Sequence, residues 1–346
     1  MSAELDAFMA TMTSRAAPTP LERVRELAAE RYGLRPEVCP LTGERDENFR
    51  LTCPGGEEYV LKIANAAESE AVTELQTAAL RHLERADPGL PVPRILRTLD
   101  GQAQTRFTDP VGRLRTVRVL GFLPGRLLAD CPRSAAQRIA CGRLGGRLSR
   151  ALRDFGHPAA ARAVVWDVRH AGYLGTLLTQ MPQFPCGAEA AALLERLTPV
   201  LAARWRELPE QVVHNDLNPR NILLDPEDPV RIVGVIDFGD LTRTAVIADV
   251  AVAAAELIPE ECPDPAQARG GVLEVLQGYR ERLALARAEL AVLGSLIAAR
   301  LAMNVVVHEW HVAHNPPGGH HAPLTVRFMR ERLRLALRLT EEDFGG

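Results

Sequence analysis

The sequence contains almost no lysine. Lys62 is the single lysine among 41 basic residues, and the other 40 are arginine. Because arginine has been supplied nearly everywhere a cation is needed, a lone lysine indicates a position that requires a compact ammonium group rather than a planar guanidinium. The alternative is that one lysine remained by chance, and the surroundings of Lys62 decide between the two interpretations.

Other absences exclude several classes of protein. The six cysteines include no Cys-x-x-Cys pair, which favours reduced thiols in a cytoplasmic protein over disulfides or a zinc site. The first residues lack the basic and apolar segments of a secretory signal. Asp249 and Arg300 interrupt the most apolar runs, so we expect no membrane span. The net charge of −3 argues against nucleic acid or an anionic membrane as the main partner.

Length and composition predict a globular protein with a sizeable core. The 346 residues suit one large domain or two closely packed lobes, and 47% of them are hydrophobic. Oligomeric state is not predicted by the sequence.

The stretch 212–240 carries the clearest chemical signal. Two short apolar runs flank the polar turn 225–229, and they predict a pair of strands. Polar residues precede the first strand and follow the second, so we expect four of them to converge at one end of the pair: His214, Asp216, Asn221 and Asp237.

The spacing of these four residues is that of kinases. His-x-Asp-x-x-x-x-Asn followed by Asp-Phe-Gly supplies one carboxylate for the acceptor hydroxyl, and a second carboxylate with an amide for Mg²⁺. A turn and a core histidine would explain either motif alone. Their order and separation favour the kinase interpretation.

A glycine-containing turn precedes Lys62. Gly43 lies in the turn 41–51, and Lys62 lies in a predicted strand over 59–63. This arrangement is typical of the hairpin with which kinases cover a nucleotide, where backbone N–H groups and the lysine ammonium bind the phosphates. The helix predicted over 68–85 should supply a partner for Lys62. Helical spacing favours Gln76, and Glu74 on the other side of the helix stays open.

The rest of the chain divides into strands and then helices. Strands are predicted at 94–98, around 103–107 and at 114–122, and the glycines of 121–125 mark a hinge. Gly145 and Gly146 lie in a predicted helix and indicate close helix packing. The predicted helices that follow the hinge are 138–152, 188–206, 245–257, 266–285, 289–307 and 325–339.

These features together resemble the aminoglycoside phosphotransferase/choline kinase superfamily. The resemblance covers roughly residues 36–340, and several stretches are similar to its hydroxylysine kinase branch: Asp46-Glu-Asn48-Phe49, Tyr59-Val-Leu-Lys62-Ile, Glu74-Leu-Gln76-Thr, Phe122-Leu-Pro-Gly125-Arg and Ile297-Ala-Ala-Arg300-Leu-Ala.

The resemblance implies an α+β, two-lobed, protein-kinase-like fold. We expect a helical leader over 1–35, a small lobe over 36–122 with an antiparallel sheet and a helix, and a larger, mostly helical lobe over 123–346. The small lobe binds the nucleotide, and the larger lobe carries catalysis and the acceptor. A protein kinase is disfavoured, because the chain becomes helical soon after Asp240 and leaves no room for an activation loop.

The resemblance also implies roles for individual residues. ATP or GTP is the co-substrate and Mg²⁺ the metal. Asp216 acts as catalytic base, Asn221 and Asp237 bind the metal, His214 holds the loop, and Asp249 braces it. Asn215 and Gln76 stand where glycine and glutamate are usual. The residues expected to bind the nucleotide are Gly43, Asn48, Phe49, Lys62, Gln76, Leu120, Gly121, Phe122 and Leu123.

The acceptor should lie beside Asp216. Asp240, Glu256 and Glu309 would favour a cationic substrate, and Arg300 could pair a substrate carboxylate or be a buried structural arginine. Together they suit a hydroxy amino acid or an amino alcohol. An antibiotic phosphotransferase and a non-catalytic pseudokinase are the alternatives.

The histidines of the stretch 308–321 could suggest a metal site. His308 and His311 are one helical turn apart, but the spacing is not His-Glu-x-x-His. Helix-end and loop histidines are the favoured interpretation.

Overall fold

The computed structural model describes residues 2–14, 18–43, 45–258, 264–314, 323–342 and 344. It has two lobes, with an antiparallel sheet in the N-terminal part and a larger helical C-terminal part. This confirms the predicted α+β fold class. The segment boundaries at 35/36 and 122/123 stay a prediction.

The N-terminal sheet has six antiparallel strands in the order β1-β2-β3-β6-β4, with β5 paired to the same edge of β6 as β4. Alternate residues of β2 point inward, so Phe49 and Leu51 enter the core of this lobe. The strands are β1 (Glu37–Leu41), β2 (Glu47–Thr52), β3 (Glu58–Ile63), β4 (Ile95–Leu96), β5 (Thr105–Thr108) and β6 (Leu114–Gly121).

Three helices accompany this sheet: α1 (Ser2–Thr13), α2 (Leu21–Tyr32) and α3 (Glu70–Ala86). Helix α2 buries Val24 and Leu27 against the sheet and ends at Gly33, whose φ of 69° is the left-handed conformation that favours glycine. Helix α1 packs differently, because its apolar residues join the core of the helical lobe.

The C-terminal lobe contains seven α-helices, besides short 3-10 helices, in the part of the chain that the structure describes. The helix Arg287–His314 is long and apolar enough to cross a membrane by length and composition alone. However, 89% of its most apolar stretch is buried inside the protein, as in the core helix of a globular fold. The helices are α4 (Ala135–Ala151), α5 (Leu174–Thr179), α6 (Gly187–Arg204), α7 (Val246–Leu257), α8 (Pro265–Arg280), α9 (Arg287–His314) and α10 (Val326–Leu339).

Two small sheets position the motifs. Strands β9 (Ile222–Leu224) and β10 (Ile232–Val235) pair antiparallel, as the apolar runs predict, and β7 (Arg126–Leu127) extends them. Strands β8 (Glu210–Val213) and β11 (Thr242–Ala245) form the second sheet. The sequence analysis did not predict β11, and it placed residue 245 in the following helix.

Candidate active site

Two non-glycine residues with positive φ lie in the motif segment. Asn215 has φ 65° and Asp237 has φ 60°. Asparagine and aspartate tolerate this conformation better than most residues, which explains how Asn215 replaces a usual glycine. The backbone N–H of Asn215 donates to Asp249 Oδ1 at 2.8 Å, so Asp249 contacts the loop from α7. Burial raises the pKa of Asp249 to about 7.

His214 is a buried, neutral histidine that joins the two motifs. Its Nδ1 accepts from the backbone N–H of Asp216 at 3.2 Å, and its Nε2 lies 3.3 Å from the carbonyl oxygen of Ile236. These partners require the proton on Nε2. The ring also packs edge-on against Phe238. Burial lowers the pKa of His214 to about 4, although Asp237 opposes the shift.

Asp216 lies between an amide and a guanidinium. Asn221 Nδ2 donates to its Oδ2 at 2.7 Å, and Arg300 Nη2 donates to its Oδ1 at 3.0 Å. Burial raises the pKa of Asp216 to about 7, because its effect exceeds the opposing effect of Arg300, and the negative charges of Asp240 and Glu256 add to the rise. A carboxylate with this pKa is suited to act as a general base near neutral pH.

Asp237 lies close enough to Lys62 for their charges to interact. Burial alone would raise the pKa of Asp237, but the positive charges of Lys62 and Arg45 bring it below its ordinary value. Asp237 therefore stays ionised. The backbone N–H of Ile236 donates to the carbonyl oxygen of Asn221 at 2.9 Å, which ties the two predicted metal-binding residues together.

The predicted partner of Lys62 is wrong. Gln76 Oε1 accepts from Arg118 Nη2 at 2.6 Å, and Glu74 is exposed. Lys62 instead pairs with Asp46 of the β1–β2 loop, with 3.6 Å between Nζ and Oδ2. Arg118 is opposite Lys62 in the β3–β6 register and is 2% exposed, so two cations share this face of the sheet.

The β1–β2 loop folds tightly on itself. A side chain at Gly43 would overlap the Asn48 amide and the carbonyl oxygen of Asp46. Asn48 Oδ1 is buried, and no group in the described residues donates to it. Phe49 was expected to contact the nucleotide, but its side chain is 5% exposed and packs in the lobe core.

Two backbone N–H groups of the predicted hinge already donate hydrogen bonds within the protein. The N–H groups of Gly121 and Phe122 donate to carbonyl oxygens of neighbouring segments at 2.8 Å and 3.1 Å. They cannot also donate to a purine base. Leu120 is buried, and Leu123 follows the end of β6.

Arg300 is paired within the protein. Its Nε donates to Glu256 Oε1 at 2.8 Å, and Asn304 Nδ2 donates to the same oxygen at 3.0 Å. Its guanidinium also lies 4.8 Å from the Trp166 ring centroid. Two carboxylates, Glu256 and Asp216, therefore hold the Arg300 guanidinium, which fits the interpretation of a buried structural arginine better than a role in binding a substrate carboxylate.

The remaining residues predicted to bind the acceptor, Asp240 and Glu309, lie in different places and have different partners. Asp240 is buried beside the turn that carries Asp237, the predicted metal ligand, and accepts from Arg45 Nη2 at 2.6 Å. Glu309 accepts from the backbone N–H of Leu324 at 2.8 Å, so its described contact is with the chain that leads into α10. His308, His311 and His314 lie on α9, where the His314 ring stacks on Trp310, and His320 and His321 lie outside the described residues.

The donor set at the cleft fits Mg²⁺. The Asp237 carboxylate and the Asn221 amide oxygen are hard ligands of the kind this ion prefers, and Asn221 turns its Nδ2 toward Asp216. Within the described residues, no group of three or more His, Cys, Asp or Glu side chains could hold a metal ion. Two protein ligands plus nucleotide phosphates is the usual arrangement for magnesium.

A lysine-bearing sheet that faces an Asp-Asn-Asp constellation defines the class of kinase-like phosphotransferases. The family model described as the phosphotransferase enzyme family (APH) matches residues 37–286, and the chain belongs to this family.

Individual relatives agree with this assignment. Hydroxylysine kinase of Danio rerio is 27% identical over 317 residues, which cover 88% of each chain. Among solved structures, an amicoumacin kinase in complex with AMP-PNP, Ca²⁺ and Ami has a TM-score of 0.69 at 19% identity, covering 93% of this chain and 94% of that one. A microcompartment-associated aminopropanol kinase has a TM-score of 0.68 at 19% identity, covering 93% and 95%. At these identities the structures show a shared fold.

Proposed function

We propose that the protein transfers the γ-phosphoryl group of ATP or GTP to a hydroxyl group of a small molecule that carries an ammonium group. A hydroxy amino acid or an amino alcohol, similar to hydroxylysine, is the acceptor class. The observation that carries the proposal is the position of Asp216, a base with a pKa of about 7, beside Asn221 and within a set of acidic side chains.

Asp216 receives the proton of the acceptor hydroxyl. The acceptor oxygen forms a bond to the γ-phosphorus as the bond to the β-phosphate oxygen breaks, so the products are a nucleoside diphosphate and a phosphate monoester. Lys62 binds the phosphates from the sheet side, and Asn221 and Asp237 would hold Mg²⁺. When bound, this ion neutralises charge on the phosphates.

The charge of the acceptor side favours a cation. Asp240 and Glu256 act electrostatically on Asp216, and two arginines are paired with these carboxylates: Arg300 with Asp216 and Glu256, and Arg45 with Asp240. Three carboxylates against two guanidinium groups leave an excess negative charge, which an ammonium group of the acceptor would compensate. Because Arg300 is engaged by two carboxylates, we assign it to positioning Asp216 rather than to binding a substrate carboxylate.

The nucleotide lies between the sheet of residues 36–122 and the helical lobe of residues 123–346. Its phosphates lie under the β1–β2 loop at Gly43 and Asn48, and its base lies at the hinge 120–123. The side chains of Phe49 and Gln76 support this site through the core and through Arg118. The described cysteines, five of six, are free thiols, which supports a reducing compartment such as the cytoplasm.

The experiment is an acceptor panel. Consumption of ATP and of GTP is measured with Mg²⁺ and hydroxy amino acids, amino alcohols, aminoglycosides or neutral sugars, and the phosphorylated product is identified by mass spectrometry. We expect phosphorylation of an ammonium-bearing hydroxy amino acid or amino alcohol. Phosphorylation of an aminoglycoside in preference to all smaller acceptors would instead show an antibiotic phosphotransferase. Nucleotide binding without phosphorylation of any acceptor would contradict the proposal.

A further inference from the structure

Arg45 crosses the cleft between the lobes. It lies in the loop between β1 and β2, and its Nη2 donates to Asp240 Oδ1 at 2.6 Å. The two residues are 195 positions apart in sequence. This ion pair therefore joins the loop that should cover the nucleotide to the turn that carries Asp237.

The Arg45 guanidinium lies directly on that turn. A Cβ atom placed on Gly239 would lie 2.8 Å from Arg45 Nη2 and 2.9 Å from Asp237 Oδ1, so both groups lie on the same side of Gly239. Asp237 is the carboxylate that would hold Mg²⁺ against the phosphates. Arg45 therefore occupies the space beside the metal-binding carboxylate, where the terminal phosphate must lie during transfer.

The Arg45 side chain is partly buried and incompletely paired, and its Nη1 atom is fully buried. Its side chain is 18% exposed, and in the described part of the chain no group accepts from its Nη1. A buried guanidinium usually satisfies its five N–H donors. A phosphate offers several acceptor oxygens in the planar geometry that arginine matches, and it would supply the acceptor that Nη1 lacks.

If Arg45 moves away from Asp240, a second cation still compensates the charge of this carboxylate. Arg162 donates to the carbonyl oxygens of Gly239 and Leu241, and it lies close enough to Asp240 for the two charges to interact. The backbone of the loop stays anchored, because Asn65 Nδ2 donates to the carbonyl oxygen of Arg45 at 3.2 Å.

We propose that Arg45 binds the terminal phosphate of the nucleotide, and that it exchanges Asp240 for this phosphate when the nucleotide enters. This inference rests on the proposed phosphotransfer function. A terminal phosphate carries about two negative charges at neutral pH, against one for Asp240, so the exchange is favoured electrostatically. The exchange also frees the Asp240 carboxylate, which can then form an ion pair with an ammonium group of the acceptor.

The first test measures affinity by calorimetry for a non-hydrolysable ATP analogue and for ADP, both with Mg²⁺. Arg45→Met keeps the aliphatic stem and removes the charge. It should weaken binding of the triphosphate by about tenfold or more and binding of the diphosphate by less than about threefold. Arg106→Met is the matched control, because Arg106 lies on β5 of the same sheet in an exposed ion pair with Glu70. It should change neither affinity.

The second test uses Asp240→Asn. Because Asp240 competes with the phosphate for Arg45, its neutralisation should tighten triphosphate binding severalfold, and this gain should disappear in the double variant with Arg45→Met. A thermal unfolding curve for each variant separates binding from folding. Unchanged triphosphate affinity in Arg45→Met would overturn the inference, and so would an equal loss for both nucleotides or a gain from Asp240→Asn that persists without Arg45. A wild-type protein that binds neither nucleotide would overturn the proposed function as well.

Discussion

At the residue scale, burial shifts the pKa values of His214 and Asp216, two residues of the predicted catalytic motif, in opposite directions. It lowers the pKa of His214 to about 4 and raises the pKa of Asp216 to about 7. Histidine is neutral when deprotonated and aspartate is neutral when protonated, so a low dielectric favours opposite proton occupancies. His214 therefore stays uncharged above about pH 5, and Asp216 titrates near neutrality.

The raised pKa of Asp216 predicts the pH dependence of the reaction. Only ionised Asp216 can accept a proton, so kcat/KM for the acceptor should rise with pH and level off above about pH 7. Below that value it should fall by about tenfold per pH unit. The measurement is kcat/KM across about pH 5 to 9, with nucleotide affinity measured at each pH as the control. A profile that is flat from pH 5 to 8, at constant nucleotide affinity, would contradict this role of Asp216.

The sequence predicted the residues at the ends of β9 and β10 but missed the cations opposite them. His214, Asp216, Asn221 and Asp237 follow from local motif spacing, which short strands preserve in space. The interactions of Arg45 and Arg118 depend on the strand register and on the path of a loop, which spacing does not encode. The sequence did contain the acidic partner of Lys62: Asp46, which lies two positions before the predicted nucleotide-binding residue Asn48.

Gln76 shows why one substitution cannot be interpreted alone. The family resemblance implies that a glutamate is usual at this position, and the helical spacing of Gln76 also predicted a contact with Lys62. Arg118 lies beside Lys62 on the neighbouring strand β6. Gln76 therefore contacts Arg118, and Lys62 forms its ion pair with Asp46. The neutral amide of Gln76 leaves more uncompensated positive charge on Arg118 and Lys62 than a carboxylate would, which suits the proposed binding of nucleotide phosphates.

At the element scale, glycines allow helices α4 and α8 to pack closely in the C-terminal lobe. The glycine pair in α4 predicted close packing, and the structure confirms it: a Cβ at Gly146 would lie 2.7 Å from the carbonyl oxygen of Tyr279 in α8. A side chain at Gly278 would overlap the carbonyl oxygen of Ile139 and lie 2.8 Å from the backbone nitrogen of Arg143.

Replacement of Gly278 by alanine should therefore separate these two helices. We expect Gly278→Ala to lower the free energy of unfolding by about 3 kcal/mol or more, since the overlapping atoms are backbone atoms that cannot rotate away. Gly270→Ala is the control in the same helix, because nothing lies within 4 Å of its added Cβ. It should be neutral or stabilising by about 0.5–1 kcal/mol. Thermal or denaturant unfolding measures both, and equal stability of the two variants would refute the packing argument.

The elements that sequence patterns missed are short or depend on distant partners. Strand β11 has four residues and exists by pairing with β8, about thirty positions earlier in the chain. Helix α1 was part of a single predicted leader. In the structure it buries Leu5, Phe8 and Met9 in the core of the helical lobe, while α2 packs on the sheet.

At the scale of the whole molecule, contacts from separate segments join the two lobes around the cleft. Arg45 pairs with Asp240, and α1 reaches both sides: Tyr173 Oη donates to Asp6, and Asn65 Nδ2 donates to the carbonyl oxygen of Thr11. The fold class could be predicted because strands and then helices follow one another in sequence. The arrangement of the lobes could not, because it depends on an ion pair and hydrogen bonds between residues that are far apart in sequence.

The central claim is that Asp216 accepts the proton of an acceptor hydroxyl while Lys62 and Asp237 hold a nucleotide across the cleft. The most direct test measures acceptor-dependent phosphate transfer and nucleotide affinity for wild type, Asp216→Asn and Asp225→Asn, the last being a carboxylate of the turn after β9 that pairs with Arg231. We predict that Asp216→Asn loses about 10²-fold to 10⁴-fold in kcat and keeps its nucleotide affinity within a few-fold, while Asp225→Asn resembles wild type. An Asp216→Asn variant that transfers phosphate at the wild-type rate would contradict the account.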